Sequence, residues 1–189
     1  MTDELPPIEE RRSEDHHGHD LIDPLGVAIV TVSSSRAEAD EEGHEAEDPG
    51  GDEIASILDA AGHVVTVREL VADDHVRVGS TVSALIDRED VNLVVTTGGT
   101  GVTRDDVSPD AVSELFDRTL PGFGELFRML SYEEVGSRAM ASRATAGIVR
   151  GVPVFVLPGS VNAVRLATEE LIAPEAPHLA GLATRHRFE

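Results

Sequence analysis

The stretch VVTTGGTGVTRDDVSPDAV, residues 94–112, combines an apolar run, a glycine-rich turn and an Arg-Asp-Asp triplet. Its glycines, Gly98, Gly99 and Gly101, permit backbone angles that other residues avoid, so their amide N–H groups can approach an anion closely. Thr100 adds a hydroxyl donor between them. On the glycines alone the stretch is better explained as an ordinary loop than as a turn that holds a phosphate group, because its spacing matches neither the Walker pattern nor the dinucleotide-binding fingerprint. The acidic residues beside it favour the phosphate-binding turn.

Apolar runs without polar alternation surround this turn and predict buried strands, at residues 25–35, 63–71, 91–97 and 146–160. Segments with helical spacing of apolar residues lie between them, at residues 52–62, 78–90 and 108–116. This alternation predicts an α/β fold, in which helices cover both faces of a parallel sheet. Because ligands bind beyond the carboxyl ends of such strands, the polar residues after each run form the candidate site.

Helix boundaries are indicated by serine, glycine and proline. Ser108 followed by Pro109 is typical of a capped helix start. Other such residues divide the later helical segments into pieces, at Gly122, Gly124, Gly136, Pro174 and Pro177.

Two segments lack an apolar period. Residues 1–23 hold prolines and many carboxylates, which predicts a disordered acidic tail before a single domain over residues 24–189. Residues 36–51, charged and rich in glycine, predict a mobile loop. The tail histidines either bind a metal ion or are chance residues of a solvated segment: His16, His17 and His19.

The formal net charge is -21, all 15 basic residues counted as Lys and Arg are arginines, and there is no cysteine. Carboxylates spread along the whole chain favour a protein from a salt-loving host, in which salt screens their repulsion. This charge argues against a nucleic-acid partner. Without lysine and cysteine, phosphate contacts must come from arginine, backbone amides, hydroxyls or a metal ion.

Membrane and export signals are not evident in the sequence. No stretch approaches the roughly 18 apolar residues of a spanning helix, so we expect no membrane partner. The acidic N-terminus lacks the apolar run of a secretory signal, and we expect a cytoplasmic protein.

The acidic residues near the turn predict a magnesium ion. Asp105 and Asp106 would repel a bare phosphate, and Mg²⁺ commonly lies between one or two carboxylates and phosphate oxygens. Asp73 or Asp74, after the second strand, supplies a further carboxylate, and Arg104 can stabilise charge on a transferring phosphoryl group. Taken singly, Asp74 and Asp105 are better explained as solvated surface residues of an acidic protein.

The quoted turn is accompanied by DRTLPGFGELFRMLSYEEVGSRAMASRATAG, residues 117–147, and VPVFVLPGSVNAVRLA, residues 152–167. Together these blocks resemble the MoaB/MogA family of molybdenum cofactor biosynthesis, the molybdopterin-binding or molybdopterin adenylyltransferase proteins. The resemblance, from about residue 25 onward, implies a three-layer α/β/α sandwich with a mostly parallel sheet, assembled as a homotrimer or homohexamer. It implies Mg²⁺-dependent transfer of AMP from ATP to molybdopterin, with release of pyrophosphate, in a molybdenum or tungsten pathway.

The resemblance also assigns residues. Asp73 and Asp106 match its functional aspartates, which implies catalytic and Mg²⁺-binding roles for both. With Arg104 added from the charge argument, the residues expected to bind substrate or nucleotide are Ser33, Gly98, Gly99, Thr100, Gly101, Arg104, Ser108, Ser142, Pro158, Gly159 and Ser160. Two alternatives stay open: a non-catalytic carrier of molybdopterin, and a scaffold whose acidic loop docks other enzymes of cofactor biosynthesis.

Overall fold

The structure is a computed structural model that describes residues 5–15, 18–41, 43 and 46–185. Its strands are β1 (Arg12–Glu14), β2 (Asp20–Ile22), β3 (Gly26–Val32), β4 (Val64–Val71), β5 (Leu93–Thr97), β6 (Arg118–Thr119), β7 (Thr145–Val149) and β8 (Val152–Leu157). Its helices are α1 (Ser34–Glu41), α2 (Pro49–Ala60), α3 (His75–Ile86), α4 (Ser108–Ser113), α5 (Pro121–Val135), α6 (Val161–Ala167) and α7 (Ala173–Ala183).

The central sheet has six strands in the order β4-β3-β5-β8-β7-β6. Strands β4, β3, β5 and β8 are parallel, whereas β7 and β6 pair antiparallel at one edge. After β3 the chain continues to β4 on one side, and after β4 it crosses to β5 on the other side of β3. The loops after β3 and β5 therefore diverge, and such a switch point leaves a crevice at the carboxyl ends of the two strands.

Helices cover both faces of this sheet. On one face, Ile54 and Leu58 of α2 and Phe127 of α5 pack on alternate residues of β3, β5 and β8. On the other face, Val78 and Val82 of α3 pack on the remaining residues of the same strands. All seven residues of β3 are buried, which explains its apolar run without polar alternation. The predicted α/β fold with a mostly parallel sheet is confirmed.

The prediction of a disordered tail over residues 1–23 is wrong for residues 5–15 and 18–23. Strands β1 and β2 form an antiparallel hairpin, and Ile22 is completely buried. Arg11 is only 5 % exposed, and its guanidinium donates to Asn92 Oδ1 at 2.7 Å and to the Pro24 carbonyl. Asn92 lies 81 positions along the chain from Arg11, so no local pattern indicates the order. His16 and His17 lie outside the described residues.

The prediction of a loop over residues 36–51 is wrong at both of its ends. Its first residues belong to α1, and its last residues, from Pro49, begin α2. Asp48 caps α2, because its Oδ1 accepts the Gly51 amide at 3.1 Å, and Pro49 occupies a first-turn position. Helix α2 therefore begins at Pro49, before the apolar residues whose spacing predicted it.

Helix α5 runs without a break through Gly122 and Gly124 and ends before Gly136, which has a φ of 63°. The expected division at the first two glycines is wrong. Gly124 serves close packing, because a Cβ there would lie 2.8 Å from the Ala144 carbonyl oxygen. Only the glycine whose positive φ a side chain disfavours ends the helix.

The C-terminal helices are also continuous where the sequence predicted interruptions. Helix α6 continues through a π-helical turn, Thr168–Ile172, directly into α7, which contains Pro177. The predicted interruptions at Pro174 and Pro177 are therefore wrong, since the chain accommodates both prolines after a wider turn. Of the helices in the described ranges, none combines the length and the apolar character needed to cross a membrane.

Candidate functional site

The glycine turn follows β5 at the switch point between β3 and β5. Gly98 has a φ of 102°, and a Cβ there would overlap the Val32 carbonyl oxygen at the end of β3. The Gly98 amide donates to the Leu157 carbonyl of β8 at 3.0 Å, and a Cβ on Gly159 would lie 3.3 Å from the Gly98 Cα. The ends of three strands thus meet at Gly98, and only glycine fits there.

The turn presents unused amide donors. The amides of Gly101 and Thr103 donate to Asp106, whereas those of Gly99, Thr100 and Val102 have no acceptor among the described residues. Thr100 is only 4 % exposed, so no open surface hydrates it. Buried amides normally have a partner, so the amide of Thr100, with that of the half-buried Gly99 beside it, is suited to bind the oxygens of an anionic ligand. Val102 is exposed, and water can reach it.

Ser108 faces the same turn. Its hydroxyl is buried without a hydrogen-bond partner in the described part of the chain, and a Cβ on Gly99 would lie 2.6 Å from that oxygen. Helix α4 begins at Ser108, and no side chain caps it. The predicted capping role of Ser108 is therefore wrong, and its hydroxyl stays available beside the free amides.

Asp73 approaches the turn from the end of β4. Its Oδ2 accepts the Ser34 amide at 2.7 Å and the Ser34 hydroxyl at 3.0 Å. Its Oδ1 lies 3.3 Å from the position of a Cβ on Gly99. One oxygen therefore fixes the carboxylate, and the other is directed to the glycine turn. The adjacent Asp74 caps α3 instead, by accepting the Arg77 amide at 2.8 Å.

Asp106 lies on the other side of the turn and binds within it. Its Oδ1 accepts the Gly101 amide at 2.8 Å, and its Oδ2 accepts the Thr103 amide at 2.8 Å and the Thr103 hydroxyl at 2.6 Å. The hydrogen bond from the Thr103 hydroxyl is the main cause that lowers the pKa of Asp106, and Arg143 adds a smaller effect. Asp73 and Asp106 thus flank the segment from Gly99 to Gly101 together.

Arg143 holds the turn from outside, and the sequence patterns did not single it out. Its amide donates to the Thr100 carbonyl at 3.1 Å, and its Nε donates to the Gly101 carbonyl at 2.7 Å. The guanidinium also donates to the Asp106 carbonyl and pairs with Asp110 at 2.8 Å. The arginine lies more than 40 positions after the turn, beside the predicted Ser142, so spacing along the chain gave no signal for it.

The N-terminus of α2 also reaches the site, which the interpretation of residues 36–51 as a loop missed. A Cβ on Gly50 would lie 3.6 Å from Thr97 Oγ1 and 3.9 Å from the Gly159 carbonyl oxygen. Asp48, the cap of α2, accepts the Thr31 hydroxyl at 2.8 Å. The Asp-Pro-Gly-Gly run was the available signal, because it is typical of a helix start.

The remaining predicted residues lie around this centre. Ser142, Pro158 and Ser160 line one cavity of about 200 Å³ between the 3-10 helix Gly136–Ala141 and α6. Ser33 directly follows β3, and its amide donates to the Val71 carbonyl at 2.8 Å. The structure therefore brings Ser142, Pro158 and Ser160 together, and Gly159 between the last two contacts Gly98 of the turn.

Arg104 stands apart from the other predicted residues. It is exposed, and its side chain makes no hydrogen bond or ion pair within residues 5–15, 18–41, 43 and 46–185. The structure therefore leaves Arg104 free for a ligand but does not direct it to one.

A metal ion at this site would need oxygen atoms from a bound substrate in addition to those of the protein. In the described part of the chain, no three acidic or histidine side chains are grouped closely enough to hold a metal ion by themselves. Asp73 Oδ1 accepts no hydrogen bond there, and one or two carboxylates with phosphate oxygens and water suit Mg²⁺. The donors present fit Mg²⁺ bound jointly by protein and substrate.

A larger cavity, about 830 Å³, opens between the segment before α2 and β4. Its charged residues are one arginine and five acids, Arg68, Asp40, Glu47, Asp48, Asp52 and Glu69. Arg68 is already paired with Asp48 at 2.8 Å and with Asp52 at 2.7 Å. Such a surface repels phosphates, whereas the glycine turn offers amide donors.

The fold defines the class of the protein: a doubly wound α/β protein with its ligand edge at the carboxyl ends of parallel strands. The family model described as "Probable molybdopterin binding domain" matches residues 28–178, and the chain belongs to that family. The three-layer sandwich expected from the resemblance is therefore confirmed as the fold of this family.

Curated relatives are similar over most of their length. The chain is 47% identical over 152 residues to molybdenum cofactor biosynthesis protein B of Bacillus cereus, covering 80% of this chain and 86% of the relative. It is 42% identical over 152 residues to the protein of that name from Escherichia coli K12, covering 80% and 85%.

Solved structures agree. A crystal structure of a molybdenum cofactor biosynthesis protein B has a TM-score of 0.80 at 44% identity, covering 86% of this chain and 98% of that chain. The tungsten cofactor synthesizing protein MoaB from Pyrococcus furiosus has a TM-score of 0.74 at 39% identity, covering 85% and 98%.

Proposed function

We propose that this chain acts in molybdenum or tungsten cofactor biosynthesis, where it transfers AMP from ATP to the terminal phosphate of molybdopterin and releases pyrophosphate. The observation that carries this proposal is the turn with free amides at Gly99 and Thr100, flanked by the carboxylates of Asp73 and Asp106. Backbone amides donate hydrogen bonds to phosphate oxygens. The carboxylates can bind the metal ion that phosphoryl transfer uses.

The reaction needs positioning more than covalent catalysis. An oxygen of the molybdopterin phosphate forms a bond to the α-phosphorus of ATP, and the bond from that phosphorus to the bridging oxygen breaks as pyrophosphate leaves. The amides of Gly99 and Thr100 and the Ser108 hydroxyl hold one phosphate in line for this attack. When bound, Mg²⁺ neutralises charge on the reacting phosphates.

The carboxylates have different tasks in this scheme. Asp73 Oδ1 is the best-placed Mg²⁺ ligand, because Ser34 occupies only the other oxygen. Asp106 accepts hydrogen bonds from three donors, one at Oδ1 and two at Oδ2. Because a carboxylate offers about four lone-pair sites, one position at Oδ1 is left for the ion. Both residues keep their predicted roles in this proposal, and Asp106 also shapes the turn.

Substrate groups beyond the phosphates bind around this centre. Ser142, Pro158, Gly159 and Ser160 form the pterin side, since three of them line one cavity beside Gly98. Ser33, at the other side of the switch point, contributes to the nucleotide side. Arg104 is exposed near the turn and compensates charge on the departing pyrophosphate.

Self-association into a trimer or hexamer is part of the proposal. Helix α5 exposes an apolar stripe at intervals of three residues, formed by Leu126, Met129, Tyr132 and Val135. At 3.6 residues per turn, a spacing of three winds these side chains around the helix surface instead of along one face. An exposed apolar surface formed by neighbouring side chains is typical of a protein interface. Sedimentation velocity across a range of protein concentrations tests it, and a monomer at every concentration contradicts it.

The deciding experiment mixes purified protein with ATP, Mg²⁺ and molybdopterin. We expect pyrophosphate and adenylylated molybdopterin in equal amounts, detected by an enzymatic pyrophosphate assay and mass spectrometry, and neither product when a chelator removes the metal. One observation favours the second candidate, a non-catalytic molybdopterin carrier: both oxygens of Asp106 are engaged within its own turn. Tight molybdopterin binding without pyrophosphate release supports the carrier and rejects the transferase.

A further inference from the structure

Arg143 directs all its polar contacts to one short segment. Four of its nitrogens donate within residues 100–110: to the carbonyls of Thr100, Gly101 and Asp106, and to the Asp110 carboxylate. The backbone amide of Arg143 makes the contact to the Thr100 carbonyl, whereas the guanidinium holds the Gly101 and Asp106 carbonyls. Its donors form a rigid planar fork, so these two carbonyls are fixed relative to each other. A lysine has a single flexible ammonium and cannot reproduce the arrangement.

The carbonyl contacts determine where the amides of the turn point. In a planar trans peptide, the N–H of one residue is directed opposite to the carbonyl of the residue before it. Because Arg143 holds the Gly101 carbonyl at 2.7 Å, the Val102 amide is turned to the other side, where no described acceptor binds it. The Gly101 amide, opposite the Thr100 carbonyl, is fixed by Asp106.

We propose that Arg143 is a positioning residue that keeps the glycine turn in its phosphate-binding form, through backbone carbonyls and without touching the ligand. This inference rests on the proposed function only in assigning a phosphate group to the turn. The arginine clamps the outer side of residues 100–106, and Asp106 clamps the inner side. If either set of contacts is lost, the turn becomes flexible, because its glycines restrict the backbone little.

Two other roles for Arg143 predict different behaviour. A residue that only supports the fold changes stability and leaves ligand affinity in the folded protein intact. A residue that binds phosphate directly loses affinity when truncated but leaves the free turn as ordered as before. A positioning residue changes both phosphate affinity and the order of residues 99–103.

The test compares four variants, Arg143→Ala, Arg143→Lys, Asp110→Asn and Arg150→Ala. Arg150 is the matched control, because its guanidinium also donates to a carbonyl, that of Ser83 in α3 at 2.8 Å. Arg150 lies in the β7–β8 connection, at the amino end of β8 and away from the glycine turn. Binding of inorganic pyrophosphate with Mg²⁺ is measured by calorimetry, thermal unfolding reports stability, and hydrogen exchange reports the amides of residues 99–103.

For Arg143→Ala we expect pyrophosphate binding to weaken on the order of tenfold or more, with faster exchange of those amides. Arg143→Lys recovers only part of the affinity, and it serves as the test variant if the alanine variant does not fold. Asp110→Asn binds nearly as the wild type does, because an exposed ion pair contributes little. Arg150→Ala loses stability without losing affinity.

Several results overturn the proposal. Unchanged affinity in both Arg143 variants, or equal weakening in Arg150→Ala, removes the positioning role, as does weakened affinity with unchanged exchange. A wild-type protein that binds no pyrophosphate overturns it together with the phosphate site. If the wild type binds pyrophosphate but transfers no AMP, the transferase proposal fails while the Arg143 comparison still decides this inference.

Discussion

Ser34 and Asp73 bind each other reciprocally across the ends of β3 and β4. The Ser34 amide and hydroxyl donate to Asp73 Oδ2 at 2.7 and 3.0 Å, and the Asp73 amide donates to the Ser34 hydroxyl at 3.0 Å. This exchange fixes the carboxylate, so that Oδ1 is directed to Gly99 without side-chain freedom to lose on binding. The arrangement distinguishes Asp73 from its neighbour Asp74, which the charge pattern of the sequence did not.

Asp73→Asn should therefore separate stability from activity. The amide oxygen of asparagine can still accept both Ser34 donors, so the melting temperature should stay close to the wild-type value. The charge at the turn is lost, and we expect the AMP transfer rate to fall on the order of a hundredfold. Asp74→Asn is the control, since asparagine caps helices as well as aspartate does. Equal loss of transfer in both variants would contradict the assignment.

Gly99→Ala tests the space beside Ser108. Gly99 has a φ of 61°, and the added Cβ would lie 2.6 Å from Ser108 Oγ and 3.3 Å from Asp73 Oδ1. We expect loss of phosphate binding and a stability decrease of about 1 kcal/mol or more, measured by calorimetry and urea unfolding. At Gly122 a Cβ meets nothing within 4 Å, so Gly122→Ala should be neutral or stabilising. Wild-type phosphate affinity in Gly99→Ala would disprove the role of the turn.

The pKa of Asp106 is lowered in the folded protein, chiefly by the Thr103 hydroxyl. Its carboxylate therefore stabilises the fold at pH values above the ordinary aspartate value of 3.8, and this contribution disappears as the pH falls through the lower folded-state pKa. We expect Asp106→Asn to reduce the free energy of unfolding most at neutral pH, and the two curves to converge in acid. Urea unfolding between neutral pH and about pH 2.5 measures this.

Asp105→Asn is the control for this titration. Asp105 is exposed next to Asp106, so its substitution changes the net charge equally without removing the turn contacts. If both variants show the same pH dependence, general charge repulsion and not the Thr103 contact explains the effect.

Salt should stabilise this protein. With a formal net charge of -21, repulsion between carboxylates opposes the compact state, and ions screen that repulsion. We expect the melting temperature to rise as potassium chloride increases from about 0.1 M to about 3 M, by about 2–4 °C for each kcal/mol gained in a chain of this size. Sucrose at equal osmolality is the control, and an identical rise with sucrose would point to solute exclusion.

The sequence predicted those parts of the fold that carry their own periodicity. Buried parallel strands appear as unbroken apolar runs, so β3, β4 and β5 were located correctly within a few residues. Helix α5 was divided wrongly, because whether a glycine ends a helix depends on its φ and on the contacts that its missing Cβ permits. The order of the N-terminal hairpin depends on Arg11 and its distant acceptors, which no local pattern contains.

The candidate site likewise contains residues that the sequence predicted and residues that it did not. The glycine turn was recognisable because its conformational demand restricts residue type at Gly98 and Gly99. Arg143 lies just before β7, and β7 lies two strands away from β5 in the sheet. Its contact with the turn therefore depends on the order of the strands and not on spacing along the chain. Asp48 was hidden because its acceptor role depends on where α2 starts.

The hairpin of β1 and β2 lies against the last helix, where Arg12 donates to the Thr184 carbonyl at 3.0 Å and Arg185 contacts Asp20 at 2.6 Å. A Cβ on Gly181 would overlap the Asp20 carbonyl oxygen, so the two segments are in close contact. The first and last described segments thus shield one another at the sheet's amino edge. Substitutions that loosen this contact would therefore act on stability and leave the ligand edge, at the opposite ends of the parallel strands, intact.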